Sequence, residues 1–432
     1  MQDSHHQLSG HALRTVILLA AVYLTVLLAV LLIFGYTPTN DGVGYLEYAE
    51  KCLQQGEPYP TAQLYGEIPF VWNVGIVNLT ELSLWISGSI MPLLVLMCIM
   101  KAATALFMAL TAGRLIHHNV AILAMMLYII YPNNWGQSTM LSSEIPAGCL
   151  MMAAVWIAVS SQTLRCMFVS GLLMAIANWF RPTAPIFLGS LFLYFLLFHR
   201  QRLALRMGSM LLGYGLFVGV VGTSCYLRTG HFIYQARSYW FSMVDECYDD
   251  AAVAPHWGQP IWPEGTPRYI EHHEQMDCFE YEKIWKQRSL QWLRTHKTDY
   301  LKKVPGRLYY MYQSDYDNMS AFLSNKAHAE DNYITIPFRH LLSEASSMNG
   351  AQWLSLFCLL LYGLLLVLAA TGTLRLMYGR QWQQLFLPLF IVIGGSLALV
   401  LVMHGETRFK DPLMPFIFIL AASNIIYPCK KY

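Results

Sequence analysis

Long apolar runs separated by short polar segments dominate the chain, and the runs have the length that a bilayer requires. About 20 consecutive apolar residues cross the hydrocarbon core as a helix. The pattern predicts ten such segments: 14–35, 85–113, 120–131, 143–160, 167–179, 183–198, 203–227, 351–374, 385–403 and 412–427. The third and fifth are short and reach full length only if neighbouring polar residues are buried among helices. The first is too long for the core of a cleaved signal peptide and no small-residue cleavage site follows it, so it is read as a retained anchor. Two polar segments are long, 36–84 and 229–350. The second exceeds an ordinary connection and is expected to carry structure of its own. Within it, 279–304 has apolar residues near helical spacing and a basic tail. That suits a helix lying in the membrane interface and equally one packed inside a small outer domain. The predicted fold is an all-α polytopic membrane protein of about ten transmembrane helices, with two outer loops forming a small α-rich cap. Its parts are an N-terminal transmembrane module (1–228), the large outer loop with interfacial helices (229–350) and C-terminal transmembrane helices (351–432).

Composition agrees with this pattern. The 432 residues are 56% hydrophobic and 12% charged, against roughly 25% charged in soluble domains. A net charge of +2 gives no argument for a nucleic-acid partner, and none is expected. Short loops rich in Lys and Arg stay in the cytoplasm. With the first span leading outward, Arg14, Arg114, Arg165, Arg200, Arg202, Arg206, Arg375, Arg380, Lys430 and Lys431 fall on the cytoplasmic side. Every Asp and Glu except Asp3 then falls on the outer side or at its boundary. An odd number of spans would break this segregation. The expectation is a multi-pass protein of a bacterial inner membrane with its active site on the periplasmic side. The nine cysteines show no CxxC pair and no metal-ligand spacing. Cys98, Cys149, Cys166 and Cys358 lie in apolar runs as small hydrophobes. Cys52, Cys247 and Cys278 lie outside them and leave room for one disulfide.

The polar residues of the outer side collect in four places. After the first span, TPTNDGVGYLEYAEKC presents Asp41, the first acid to emerge, then Tyr45, Glu47 and Tyr48 on a helix predicted over 43–54. Asp41 either caps that helix or takes a proton from an acceptor hydroxyl. Next, Ser142, Ser143 and Glu144 precede Pro146 at a helix start, where an acid also suits the helix dipole. Arg181 ends the fifth span, either snorkelling or facing the bundle interior. Finally, HGETRFKDP gathers His404, Glu406, Arg408, Lys410 and Asp411. Some of those charges must pair, and Arg408 with Lys410 can hold a phosphate, for which a guanidinium offers a planar fork. Weaker candidates are Lys101, deep in the second span and read as snorkelling or internally paired, and the acidic run Asp245, Glu246, Asp249 and Asp250, read as a solvated face ahead of a cation site. Asn78 and Asn318 begin formal glycosylation sequons.

Four motifs in this order resemble one family. They are an Asp soon after the first span, Ser-Glu-x-Pro opening the fourth, Arg-Pro after the fifth, and Glu-x-Arg-Phe-x-x-Pro-x-x-Pro before the last. Together they look like the C superfamily of glycosyltransferases (GT-C), closest to its protein mannosyltransferase and aminoarabinose-transferase-like branch. The resemblance covers the first seven spans and the final pair. It implies a polyprenyl- or dolichyl-phosphate sugar donor, membrane lipids around it, and inverting hexosyl or pentosyl transfer to an acceptor glycan, lipid or protein, with neither metal nor cofactor. Catalytic candidates are Asp41, Glu47 and Glu144, with Arg181, Arg408 and Lys410 on the donor phosphate and Tyr45, Ser143, His404 and Glu406 on substrate. Asp41 is followed by Gly42, where the mannosyltransferases carry a paired Asp-Glu, so the position of a second catalytic acid stays open. The competing classes are a transporter or flippase of lipid-linked sugars, expected to carry charges at mid-membrane and internal repeats, and a polysaccharide polymerase or ligase.

Overall fold

The computed structural model of the chain describes residues 8–61, 70–248, 264–327, 345–403 and 405–426, and no strand occurs among them. In chain order the helices are α1 (Gly10–Phe34), α2 (Asn40–Gln55), α3 (Val74–Ser87), α4 (Met91–Leu115), α5 (His118–Ile130), α6 (Asn133–Gln137), α7 (Glu144–Ser160), α8 (Leu164–Phe180), α9 (Ala184–Phe198) and α10 (Leu203–Thr229). Then come α11 (Tyr239–Tyr248), α12 (Cys278–Thr295), α13 (Lys297–Lys302), α14 (Val304–Tyr312), α15 (Asp317–Ala327), α16 (Gly350–Tyr378), α17 (Trp382–Val402) and α18 (Met414–Ile426). A 3₁₀ turn, Thr407–Leu413, leads into α18.

Five of these, α1, α4, α10, α16 and α17, are long and apolar enough to cross a membrane. Each of the ten predicted segments contains a helix, but α5, α7, α8, α9 and α18 are shorter. The sequence pattern missed α3, an apolar helix that begins in the segment read as the first outer loop and ends just inside the second predicted span. On α1, one stripe of Val16, Tyr23, Leu27 and Leu31 is buried while Leu18, Leu32 and Ile33 are exposed. The same holds on α10 with Leu212, Val220 and Leu227, and on α16 with Leu360, Leu364 and Val367. Apolar residues around the whole circumference of a helix suit lipid on one side and protein on the other.

Small residues draw the helices together. A Cβ on Gly171 of α8 would lie 1.8 Å from the Met210 carbonyl oxygen of α10, and one on Gly213 would lie 2.1 Å from that of Phe168. Gly372 of α16 meets the Leu420 carbonyl of α18 in the same way, at 2.1 Å. Lipid tails are as apolar as leucine, so close backbone approach of this kind is what favours association of membrane helices.

Hydrogen bonds between helix ends sort those ends into two sets. At one end of the bundle Arg114 donates to the Val159 carbonyl (3.2 Å), Ser209 to Leu164 (2.7 Å) and Arg375 to Asn424 (2.7 Å). At the other end the Thr37 amide donates to the Thr139 carbonyl (2.9 Å), Gln137 to Asp411 (3.0 Å), and Arg181 pairs with Glu144. The basic loop residues thus share one end and the candidate site residues the opposite one.

Helices α11 to α15 sit at the site end. α12 starts in a capping box, Asp277 with Glu280, and buries Phe279, Tyr281 and Trp285. Trp285 packs on Phe241 of α11 at 5.5 Å between ring centroids and donates to the Arg268 carbonyl at 3.0 Å. Its aromatics therefore face protein, which favours the packed helix over the interfacial one. The acidic run is neither a solvated face nor a cation site where it is described. Asp245 pairs with Arg268, and Glu246 with Arg307 at 2.8 Å; Asp249 and Asp250 lie outside the described residues. Arg307 also donates to the Val400 carbonyl (3.1 Å) and Tyr300 to Leu401 (2.9 Å), fastening this group of helices onto the end of α17. Cys52, Cys247 and Cys278 are separately buried free thiols, so the disulfide for which the sequence left room does not form among them.

Candidate functional site

The site begins where α1 hands over to α2. Thr39, not Asp41, caps α2, accepting from the Gly42 amide at 3.1 Å, and Asp41 sits in the first turn. Gly42 and Gly44 permit the close fit: a Cβ on Gly42 would meet Thr39 Oγ1 at 2.8 Å and the Leu141 carbonyl at 3.1 Å, and one on Gly44 the Trp72 ring at 2.9 Å. The start of α2 is thereby laid over the start of α7.

The opposing wall is the segment between α17 and α18. Gly405 lies directly on Arg307, where a Cβ would come within 2.3 Å of the carbonyl oxygen, so only glycine fits. Five residues on, Lys410 is fully buried and bonds Asp315 (3.0 Å) and the carbonyls of Ser314 (2.6 Å) and Thr407 (2.9 Å). Asp411 accepts from Gln137, which in turn accepts from Lys101. These anchors on either side fix the 3₁₀ turn and aim Arg408 outward.

Arg408 reaches across to Asp41 with Nη1 and to Glu406 with Nε, the latter at 2.8 Å. Beside this, Arg181 Nη1 pairs with Glu144 Oε1, and Ser142 and Ser143 donate to Glu144 Oε2 at 2.8 and 3.2 Å. Asn73, at the start of α3, donates to Tyr45 Oη (3.1 Å) and Ser143 Oγ (3.3 Å), tying α2 to the start of α7. Arg181 lies over the Phe409 ring at 5.6 Å. Burial pulls the Arg408 guanidinium down, but the charges of Glu406, then Asp41 and Glu144, outweigh it and hold its pKa well above the usual value. Burial, followed by the charges of Asp41 and Glu144, raises the Tyr45 hydroxyl, which stays protonated.

Two arginine–carboxylate pairs thus stand side by side with unequal access to water. The Arg408 and Asp41 side chains are 34% and 31% exposed, those of Arg181 and Glu144 9% and 10%. Breaking a buried pair typically costs about 3–5 kcal/mol because one charge is stranded. A pair in contact with water contributes about 0–1 kcal/mol. Arg181–Glu144 is therefore the fixed half of the site and Arg408–Asp41 the exchangeable half.

Asp41, Tyr45, Ser143, Glu144, Arg181, Glu406 and Arg408 come together. Two other candidates do not. Glu47 is 56% exposed and bonds Lys51 at 2.9 Å, one turn along the outside of α2. Lys410 is turned into the core and cannot reach a ligand held by Arg408. His404 lies outside the described residues. Asn73, Gly405, Arg307 and Gln137 carry no motif, and sequence reasoning missed them. Among the described residues no group of three or more His, Cys, Asp or Glu is placed to hold a metal ion. A separate groove of about 560 Å³ runs along the exposed face of α12, lined by residues that include Lys283, Lys286 and Arg294, away from this cluster.

No family model, curated protein or solved structure significantly matches the chain. The functional reading therefore rests on the residues themselves.

Proposed function

We propose that the protein is an integral-membrane inverting glycosyltransferase that moves a sugar from a polyprenyl- or dolichyl-phosphate carrier to an acceptor hydroxyl. In this reading all ten segments cross the membrane, the basic loops are cytoplasmic and the site opens on the periplasmic or lumenal side. The observation that carries it is the meeting of Asp41 with Arg408, 367 positions apart in sequence, beside Glu144 and Arg181. Two guanidiniums at the end of an apolar bundle, paired with Glu144, Asp41 and Glu406, suit a substrate with a lipid tail and an anionic head able to replace one of those carboxylates.

The acceptor oxygen attacks the anomeric carbon while Asp41 takes its proton. The bond from that carbon to the phosphate oxygen breaks, and the electron pair leaves on the lipid phosphate. Arg408 stabilises the departing charge with planar forked donors that match phosphate oxygens. Glu144, locked on Arg181, holds that guanidinium toward the same opening. The expected result with purified protein and a panel of radiolabelled polyprenyl-phosphate sugars is release of free polyprenyl phosphate and label on an acceptor. Movement of intact donor across the bilayer without cleavage would instead establish transport. Lys101 within α4 favours transport, yet its partner Gln137 and, through Gln137, Asp411 adjoin the segments that carry Glu144 and Arg408. It therefore reads as the floor of the same site.

A further inference from the structure

We infer that Asp41 is masked by Arg408 until an anion takes its place, so that donor binding itself releases the base. This rests on the glycosyltransferase reading and adds an order of events to it.

The geometry has three parts. Arg408 uses two edges of its guanidinium: Nε faces Glu406 at 2.8 Å, and Nη1 faces Asp41. Glu406 is largely buried, at 12% exposed, whereas Asp41 and Arg408 are each about a third exposed. The Nε edge is thus the fixed one and the Nη1 edge the one open to replacement. A phosphodiester carries a single negative charge and presents oxygens to a guanidinium as a carboxylate does. Exchanging Asp41 for it leaves the charge around Arg408 unchanged. Glu406 keeps the arginine oriented during the exchange and is a positioning residue.

The second guanidinium does not compete for this role. Arg181 is held by Glu144, itself bonded by Ser142 and Ser143, and this pair is mostly buried. Only Asp41 is released. While Arg408 Nη1 occupies Asp41 Oδ2, that oxygen is not free to take the proton of an acceptor hydroxyl. The exchange therefore converts Asp41 from a counter-ion into a base at the moment a leaving phosphate is in place. After transfer the freed lipid phosphate, now a monoester of higher charge, remains on Arg408 while Asp41 holds the acceptor's proton; passing that proton to the phosphate or to water restores the carboxylate, which regains Arg408 as the phosphate leaves.

The test measures binding of decaprenyl phosphate, with uncharged decaprenol as control, to the full chain in lipid nanodiscs. Wild type should prefer the phosphate. Asp41→Asn should bind it more tightly, on the order of tenfold, since the competing carboxylate and its repulsion are removed. Arg408→Gln should lose the preference, and Glu406→Gln should weaken it. If Asp41→Asn does not stay folded by thermal unfolding, Asp41→Ser provides the same comparison. Equal affinity of Asp41→Asn and wild type, with loss in Arg408→Gln, overturns the masking while leaving the phosphate site intact. No preference for the phosphate over decaprenol in wild type overturns the glycosyltransferase reading itself.

Discussion

Arginine meets carboxylate at two places near the same end of the bundle, with opposite consequences. Arg307 and Glu246 are 0% and 2% exposed, and their pair joins α14 to α11 while Arg307 also bonds the Val400 carbonyl in the last turn of α17. Arg408 and Asp41 are joined by the same chemical contact but stand at the opening. Buried, such a pair is a fastening, because removing either partner strands a charge away from water. At the opening water can solvate either partner, so the pair can part for a ligand. Gly405 links the two: it lies on Arg307 and begins the segment that ends in Arg408. The fastening thus positions the exchangeable arginine.

The comparison is sharpened first at Asp41. Asp41→Asn should lower transfer by about 10²- to 10⁴-fold, the usual contribution of a general base, with little change in unfolding temperature. Turnover within twofold of wild type in a purified assay would reduce Asp41 to a partner of Arg408. Next, Arg408→Lys should cost about 10²- to 10³-fold in turnover, since a point charge replaces a fork that stabilises the leaving group. An unimpaired lysine variant would remove the need for bidentate contact.

At the buried pair the effect should be on stability. Glu246→Gln should lower unfolding free energy by about 3–5 kcal/mol, and the apolar double variant Glu246→Leu with Arg307→Met should recover much of it. Thermal unfolding in detergent reads both, and a neutral Glu246→Gln would show that this pair fastens nothing. The smallest effect is expected at Glu47, which reaches only solvent and Lys51. Glu47→Gln should leave transfer unchanged and stability within about 0.5 kcal/mol. Loss of transfer there would mean that α2 turns in the working enzyme.

Much of this was legible in the sequence because membrane helices declare themselves by length and composition, and because Asp41, Glu144, Arg181 and Arg408 each end or begin an apolar run. Placing them at one end of the bundle followed from alternation of the helices. What was not legible depended on contacts at a distance. Lys410 adjoins Arg408 in sequence, but the 3₁₀ turn directs it inward to Asp315. Asp245 and Glu246 read as a solvated acidic run until Arg268 and Arg307 arrive from 23 and 61 positions along the chain. Glu47 sits six positions from Asp41, and at 100° per residue that turns it well off the face that meets Arg408. The helix α3 escaped notice because Asn78, Thr80 and Glu81 interrupt its apolar residues.

The central claim is a single displacement at an anomeric carbon, with Asp41 accepting the proton and Arg408 receiving the phosphate. The most direct measurement is the anomeric configuration of the product, read by proton NMR from a donor of known configuration. Inversion at that carbon is the predicted result. Retention, or sugar left covalently attached to the protein, would contradict the account.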